Sequence, residues 1–303
     1  MFLYTSSGNE ELRTTNHELK HMSQSIGVVG AGTMGSGIAE VAALHKFSVT
    51  IYDINEAVVL SGISRITSDL KKGVEKQKLT QEEMDSALSR VHARTKLSEL
   101  GHCDIVIEAV LEDLRTKKDL FRHLEADVKP EALLATNTSS FSVSSIASAL
   151  RKPERVIGLH FFNPPHLMKL VEIVKGTQTS EDTIRKGIEF CEKLGKTCVR
   201  TNDTPGFIVN RIARPFYGEA LRILGEGIAS VEEIDRIVKS EGGFKMGPFE
   251  LMDLIGIDVN LAVTQSVYEQ FFHDSRYRPH LIQKQMVDSG RLGKKSGKGF
   301  YSY

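Results

Sequence analysis

The chain has 303 residues, of which 40% are hydrophobic and 26% charged, a composition that is typical of folded globular proteins. Basic and acidic residues both number 39, so the net charge is zero and no overall field attracts nucleic acid or an anionic membrane. No apolar run approaches the roughly 18 residues of a membrane span, which excludes an integral membrane protein.

The first 24 residues are polar and lack the apolar stretch that a secretory signal needs. They carry Glu10, Glu11 and Glu18, whereas organellar transit peptides are usually poor in acidic residues. Because periodic apolar patterning begins only at Ile26, we predict that residues 1–24 form a disordered leader outside the fold.

Strand-like and helix-like segments alternate from Ser25 to about residue 200. Apolar runs typical of strands lie at residues 25–32, 47–53, 103–110, 132–137, 155–162, 169–174 and 196–200. Helical patterns lie between them, at residues 33–45, 55–78, from 80 onward, 113–128 and 181–194. Strands that are joined by helices predict a Rossmann-like, doubly wound α/β fold with a mostly parallel sheet.

The strand pattern stops after Pro205-Gly206, and only helical patterns follow. Helices are predicted at residues 207–225, 258–272 and 279–288, and Pro248 fits the first turn of another, where its missing N–H costs nothing. We therefore predict a nucleotide-binding domain over residues 25–204 and an all-helical C-terminal domain over residues 205–303.

A capping box, Ser230-x-x-Glu233, opens one further helix in this region. The apolar spacing of that helix predicts that Ile234, Ile237 and Val238 face the core. A stripe of this kind indicates a helix that packs on one side only.

The three cysteines, Cys103, Cys191 and Cys198, contain no Cys-x-x-Cys pair and cannot all pair with one another. This pattern is typical of free thiols in a reducing compartment, so we expect a cytoplasmic protein. No metal site is predicted.

A glycine-rich motif, Gly30-Ala-Gly32-Thr33-Met34-Gly35, follows the first strand and opens a helix. Such a motif is weak evidence alone, but its position between strand and helix favours dinucleotide binding. Gly30 permits the tight turn, Gly32 lets a pyrophosphate approach the backbone, and Gly35 allows close helix packing. Thr33 and Met34 belong to the same predicted cofactor-binding turn.

Asp53 ends the second strand, where its carboxylate can bind both hydroxyls of a ribose. The same charge would repel a 2′-phosphate, so NAD is predicted as the cofactor in preference to NADP. The alternative is that Asp53 serves only as a turn or capping residue.

His160 lies in an apolar strand that reverses at residues 164–168 into a strand containing Glu172. If the two strands pair antiparallel about this turn, residues 160 and 172 face each other with Cβ atoms about 5 Å apart. A carboxylate in that position would fix the imidazole tautomer and stabilise the protonated ring, as a general base requires. The alternative is a purely structural pair.

Two further polar residues lie where ligands of such sheets bind. Asn163, in the loop after the His160 strand, offers a neutral donor that can polarise a substrate carbonyl. Ser139 follows the 132–137 strand at its carboxyl end, although capping of a helix is an equally simple role.

Taken together, these motifs resemble the L-3-hydroxyacyl-CoA dehydrogenase family, including bacterial 3-hydroxybutyryl-CoA dehydrogenases. The resemblance covers nearly the whole chain after Ser25, and the spacing of His160, Asn163 and Glu172 is highly specific. The matching segments are IGVVGAGTMGSGIA (26–39), EAVLEDLRTKKDLF (108–121), TNTSS (136–140), GLHFFNPPHLMKLVEIV (158–174), DTPGFIVNR (203–211), MGPFELMDLIGID (246–258) and GKGFYSY (297–303).

This resemblance implies reversible, NAD-dependent oxidation of an L-3-hydroxyacyl-CoA, such as 3-hydroxybutyryl-CoA, to the 3-oxoacyl-CoA. It implies His160 as the catalytic base, oriented by Glu172. Ser139, Asn163 and Asn210 would contact the 3-oxygen and the thioester region of the substrate.

On the cofactor side, the resemblance implies that Glu112, Lys117 and Asn137 contact NAD. It also implies an acyl-CoA thioester as substrate and a homodimer formed through the helical domain, which lines the substrate cleft. Four lysines on the arm after the second strand either contact coenzyme A phosphates or form a solvated basic face: Lys71, Lys72, Lys76 and Lys78.

Two alternatives remain open at the level of sequence. One is a related 3-hydroxyacid dehydrogenase that acts on a substrate without coenzyme A, similar to L-gulonate dehydrogenase or a crystallin. The other is a non-catalytic NAD-binding protein. Acyl-chain length and pathway, whether fatty-acid oxidation, butanoate synthesis or aromatic degradation, also stay open.

Overall fold

The computed structural model of the chain describes residues 24–303, so the predicted leader up to residue 23 lies outside the described residues. Strands and helices alternate in the first two thirds of this range, and helices alone follow. The strands are β1 (Ser25–Val29), β2 (Ser48–Tyr52), β3 (Val91–Arg94), β4 (Ile105–Glu108), β5 (Leu133–Thr136), β6 (Val156–Phe161), β7 (Leu170–Lys175) and β8 (Thr197–Asn202). The helices are α1 (Thr33–Leu44), α2 (Glu56–Glu75), α3 (Gln81–Leu88), α4 (Leu114–Asp127), α5 (Val143–Ala147), α6 (Glu181–Lys193), α7 (Val209–Gly225), α8 (Val231–Ser240), α9 (Pro248–Ile255), α10 (Ile257–Gln270) and α11 (Leu281–Asp288).

The eight strands form one sheet in the order β3-β2-β1-β4-β5-β6-β7-β8. Every neighbouring pair is parallel except β6 and β7, which are antiparallel. The predicted Rossmann-like, mostly parallel sheet followed by a helical region is therefore confirmed. The pattern did not predict β3, because this four-residue edge strand alternates half-buried and exposed positions and carries no apolar run.

Both faces of the sheet are covered, which explains why β4 and β5 are buried throughout. On one face, Ile38 of α1, Leu70 of α2 and Phe190 of α6 belong to one core. On the other face, Phe121 of α4 and Ile146 of α5 belong to a second core. The carboxyl ends of the parallel strands thus open on a single edge, where ligands of such sheets bind.

The helices after β8 pack around a third core that contains Tyr217, Leu221, Phe249 and Met252. Pro248 occupies the first turn of α9, as predicted. No helix within residues 24–303 is long and apolar enough to cross a membrane.

The prediction that Ile237 faces the core is wrong. The capping box of Ser230 is present and Ile234 is buried, but Ile237 is 61% exposed. Asp235 takes the buried place instead, where its carboxylate accepts hydrogen bonds from the backbone N–H groups of Phe249 and Glu250. A buried polar residue that caps the neighbouring helix thus shifts the packed face of α8, and apolar spacing does not reveal it.

Candidate active site

His160 on β6 lies directly opposite Glu172 on β7, as predicted from the reversal between the two strands. Nδ1 of the imidazole is 2.6 Å from Oε2 of Glu172, and both side chains are buried. Because a carboxylate can only accept, Nδ1 carries the proton of this hydrogen bond. Nε2 of His160 makes no hydrogen bond with the described residues and is left as an acceptor.

The second oxygen of Glu172 anchors the start of the helical region. Oε1 accepts hydrogen bonds from the backbone N–H groups of Ile208, at 2.9 Å, and Val209, at 2.8 Å. The side chain of Ile208, the residue before α7, makes no capping hydrogen bond, so this carboxylate from the sheet satisfies two of the amides that the first turn leaves unpaired. Glu172 is therefore fixed from two sides and holds the imidazole in one orientation.

Aromatic rings enclose the imidazole of His160. The ring centroid of Phe162 lies 4.5 Å away and that of Phe207 lies 5.6 Å away. Phe207 has a φ of +48°, a left-handed conformation that is unusual for a bulky residue. Its buried ring packs into the second core of the sheet, which holds the residue in this conformation beside the histidine.

The three asparagines that were predicted as site residues differ in how close they lie to the His160–Glu172 pair and in how exposed they are. Oδ1 of Asn137 accepts a hydrogen bond from the backbone N–H of Phe161, at 2.9 Å, directly beside His160. Asn210 is half-buried in the first turn of α7, next to the amides that bind Glu172. Asn163 is exposed in the loop that follows β6.

The glycine-rich motif forms the turn between β1 and α1. Gly30 has a φ of +100°, and a Cβ there would lie 2.5 Å from the carbonyl oxygen of Ala109. A Cβ on Gly35 would lie 1.7 Å from the carbonyl oxygen of Gly30, so the helix packs against its own turn. A Cβ on Gly32 would meet no atom within 4 Å, which leaves an open surface above the turn.

The first turn of α1 is suited to an anionic ligand. The N-terminal residue before the helix is Gly32, which supplies no side-chain cap, and Thr33 and Met34 follow it. Unpaired amides at a helix N-terminus bind phosphate groups. The residues present thus fit the pyrophosphate of a dinucleotide.

Asp53 lies at the same turn. Its Oδ2 accepts a hydrogen bond from the backbone N–H of Ala31, at 3.0 Å. Arg65 of α2 was not predicted, yet it donates to the carbonyl oxygen of Ala31 and, at 3.3 Å, to Oγ of Ser36. Arg65 lies twelve residues beyond Asp53 and belongs to no sequence motif. Its contact with the turn follows only from the packing of α2.

A buried ion-pair network lies at the carboxyl ends of β4 and β5. Lys117 is 1% exposed, and its Nζ lies 2.5 Å from Oε1 of Glu108 and 3.0 Å from Oε2 of Glu112. Glu108 also accepts hydrogen bonds from Oγ1 of Thr136 and from the backbone N–H of Val110. The ammonium of Lys117 therefore points into the protein, and its influence on the site passes through Glu112.

Glu112 in turn holds the loop that carries Ser139. Its Oε1 accepts from Oγ1 of Thr138 and from the backbone N–H groups of Ser139, at 3.0 Å, and Ser140, at 3.2 Å. Partial burial would raise the pKa of Glu112, but the charge of Lys117 and the hydrogen bond from Thr138 help to hold it below its usual value. The hydroxyl of Ser139 makes no hydrogen bond with the described residues and is available to a ligand.

Two further residues, Asp203 and Gln270, fix this loop by hydrogen bonds. Asp203, at the end of β8, accepts hydrogen bonds from the hydroxyls of Ser142 and Ser144 and from the backbone N–H of Val143. Nε2 of Gln270, on α10, donates to the carbonyl oxygen of Ser140 at 2.8 Å. The loop is therefore held between the sheet and the helical region.

Comparison with protein-family models gives two matches that together cover the chain after its first 24 residues, except for residue 205. Residues 25–204 match the NAD-binding domain of 3-hydroxyacyl-CoA dehydrogenase, and residues 206–303 match the C-terminal domain of 3-hydroxyacyl-CoA dehydrogenase.

Known proteins with similar sequences and structures carry related names. Over 280 residues the chain is 48% identical to the 3-hydroxyadipyl-CoA dehydrogenase of Escherichia coli, covering 92% of this chain and 59% of that protein. It is 44% identical over 278 residues to the 3-hydroxybutyryl-CoA dehydrogenase of Bradyrhizobium diazoefficiens, covering 92% and 94%. The crystal structure of (S)-3-hydroxybutyryl-CoA dehydrogenase from Ralstonia eutropha matches with a TM-score of 0.89 and 40% identity, covering 92% and 99%.

Proposed function

The chain belongs to the 3-hydroxyacyl-CoA dehydrogenase family, and from that premise we propose that His160 is the general base that acts on a short-chain L-3-hydroxyacyl-CoA. The protein is an NAD-dependent oxidoreductase that interconverts 3-hydroxyacyl-CoA and 3-oxoacyl-CoA. The observation that carries the proposal is the buried hydrogen bond between Nδ1 of His160 and Oε2 of Glu172. Relatives named 3-hydroxybutyryl-CoA dehydrogenase support a short acyl chain.

In the proposed reaction, Nε2 of His160 accepts the proton of the 3-hydroxyl group. NAD bound at the glycine-rich turn supplies the hydride acceptor. As the imidazole becomes cationic, Oε2 of Glu172 stabilises it, while the amides of Ile208 and Val209 keep that carboxylate in place. In the reverse direction the same imidazolium returns its proton to the 3-oxo group.

The remaining site residues are assigned to binding. Ser139, Asn163 and Asn210 would contact the 3-oxygen and the thioester region, and Asn137 would contact the cofactor. Support for Ser139 comes from its free hydroxyl and from the fixed loop that presents it.

We assign Glu112 a positioning role beside its predicted contact with NAD. The hydrogen bonds that it accepts from Ser139 and Ser140 order the loop at the site. Lys117 then acts on the site by keeping Glu112 charged and oriented.

The substrate class is tested by following NADH oxidation with acetoacetyl-CoA and with 3-oxoacyl-CoAs of increasing chain length. We expect the highest kcat/KM for acetoacetyl-CoA, and loss of turnover with acetoacetate, which lacks coenzyme A. Turnover of free acids or polyols such as L-gulonate instead would identify the non-CoA alternative. NAD binding without any turnover would identify the non-catalytic one.

Cofactor choice is expected to depend on the charge of Asp53. The wild-type kcat/KM for NADH should exceed that for NADPH, because this carboxylate lies at the turn and repels a 2′-phosphate. Asp53→Asn keeps an acceptor for the N–H of Ala31 but removes the charge, so the preference for NADH should fall by about tenfold or more. Asp85→Asn, at an exposed position on α3, is the matched control. An unchanged ratio in Asp53→Asn would place this residue away from the ribose.

We also propose that residues 205–303 form a domain that dimerises and borders the substrate cleft. Large apolar side chains in this region are exposed in the single chain, as a subunit interface requires. Light scattering should then give about twice the 33.6 kDa of one chain, and a monomeric mass would contradict the proposal. The exposed residues include Ile212, Ile237, Phe244, Leu254, Val259, Phe272 and Leu281.

A cytoplasmic location is proposed on the basis of the cysteines. Cys103 and Cys191 are buried free thiols, and burial raises the pKa of Cys103 to about 12. Thiols of this kind are inert packing residues and are typical of reducing compartments.

A further inference from the structure

Three side chains with metal-binding atoms converge on the surface formed by α1, α2 and the loop between β6 and β7. They are Glu40 of α1, Asp69 of α2 and His166 of the loop, and one ligand atom of each lies within 4.8 Å of the other two. We propose that these three side chains bind a divalent transition-metal ion such as Zn²⁺. This site is separate from the His160–Glu172 pair and goes beyond the proposed dehydrogenation.

The environment of Glu40 points to a cationic ligand. Its side chain is 5% exposed and makes no hydrogen bond with any described residue. Nδ1 of His166 lies 3.8 Å from Oε2 of Glu40, which is too long for a hydrogen bond. Among the described residues no donor satisfies this carboxylate, and a bound cation would do so.

The loop holds His166 over Glu40 by specific contacts. Pro165 packs against α1 at Gly37, where an added Cβ would lie 2.7 Å from the proline ring. Lys196 donates to the carbonyl oxygen of Pro165 at 2.5 Å and fixes the loop from the other side. Gly37 and Glu40 are three residues apart and so share one face of the helix. The imidazole is therefore placed by the fold and not by a flexible side chain alone.

The charges around the cluster also favour a cation. Glu40 and Asp69 contribute two negative charges when ionised, and the neutral imidazole of His166 contributes none. Lys72 faces these carboxylates and pairs with Oδ1 of Asp69 at 2.8 Å through a side chain that is 58% exposed. Lys72 can therefore withdraw to solvent when a metal ion binds.

The donor set and its spacing suit a small transition-metal ion. One imidazole nitrogen and two carboxylate oxygens are ligands of Zn²⁺, Co²⁺ and Mn²⁺, with water in the open position. Ligand bonds of about 2.0–2.2 Å place tetrahedral donors roughly 3.4 Å apart. The distance of 3.8 Å between Nδ1 of His166 and Oε2 of Glu40 is close to that value. Small movements of the partly exposed side chains of His166 and Asp69 therefore complete the site.

The test uses the full chain, freed of metal by dialysis against a chelator, with Zn²⁺ alone as the probe in isothermal titration calorimetry. We expect one Zn²⁺ per chain at this site, and affinity at least about tenfold weaker in both Glu40→Gln and His166→Gln. His166 is on an exposed loop, so its variant keeps the test valid if Glu40→Gln fails to fold. The matched controls are Glu75→Gln on the exposed face of α2 and His123→Gln on α4, which should bind like wild type.

Co²⁺ provides a second readout that distinguishes this site from the cysteines. Bound Co²⁺ should show visible ligand-field bands without the near-ultraviolet charge-transfer band of a thiolate ligand. Zn²⁺ should also raise the Tm of wild type by a few degrees but not that of His166→Gln, because a ligand that binds only the folded state stabilises it. Absence of Zn²⁺ binding, a thiolate band, or unchanged affinity in both Glu40→Gln and His166→Gln would overturn the proposal.

Discussion

Replacing His160 with glutamine is expected to lower kcat for the oxidation of 3-hydroxybutyryl-CoA by about 10²–10⁴-fold. Glutamine has a similar volume but offers no basic nitrogen where Nε2 of the imidazole lies. The cofactor turn is formed by β1 and α1, so the Kd for NADH, measured by fluorescence, should stay near the wild-type value. Steady-state kinetics with saturating NAD⁺ measures the effect on kcat.

The control for this variant is His123→Gln, which exchanges the same residue types at an exposed position on α4. Glu172→Gln should also lower kcat, because it removes the charge that stabilises the imidazolium. The double variant should be little worse than His160→Gln alone, since residues that act as one unit are not additive. Turnover near wild type in His160→Gln, or fully multiplicative losses in the double variant, would contradict the role of the pair.

The pairing of His160 with Glu172 could be predicted because it is a matter of strand register. The reversal at residues 164–168 fixes which residues face each other, and the structure has the same register. The glycine-rich turn is equally local, since the strand, the turn and the helix follow one another between Ser25 and Leu44. Sequence reasoning succeeds where neighbours in space are close in the chain.

The support of the site could not be predicted, because it joins distant segments through polar atoms. The amide of Ile208 reaches Glu172 from 36 residues away, and Gln270 reaches the carbonyl of Ser140 from 130 residues away. Neither contact leaves an apolar period or a spacing motif. The same holds for Asp235, whose role as a helix cap overrides the stripe that predicted a buried Ile237.

Lys117 also belongs to a buried polar network that the sequence pattern does not reveal. Among the variants proposed, its replacement should lower the free energy of unfolding most. In Lys117→Met the fully buried Glu108 loses its cation, and Glu112 loses the ion pair that orients it. Removing one partner of a buried ion pair typically costs about 3–5 kcal/mol, because the other charge stays buried and uncompensated. Urea unfolding, analysed by linear extrapolation, should therefore give a free energy of unfolding that is lower by about this amount.

The control is Lys118→Met on the same helix, whose side chain takes part in no ion pair among the described residues and should change stability by less than about 0.5 kcal/mol. The double variant Glu108→Gln/Lys117→Met should recover part of the loss, because a neutral amide can stay buried, with its oxygen accepting from the N–H of Val110 and its NH2 group donating to Oγ1 of Thr136. If Lys117→Met unfolds like Lys118→Met, the network does not support the fold. If the double variant is less stable than Lys117→Met alone, the loss does not come from an unpaired carboxylate at Glu108.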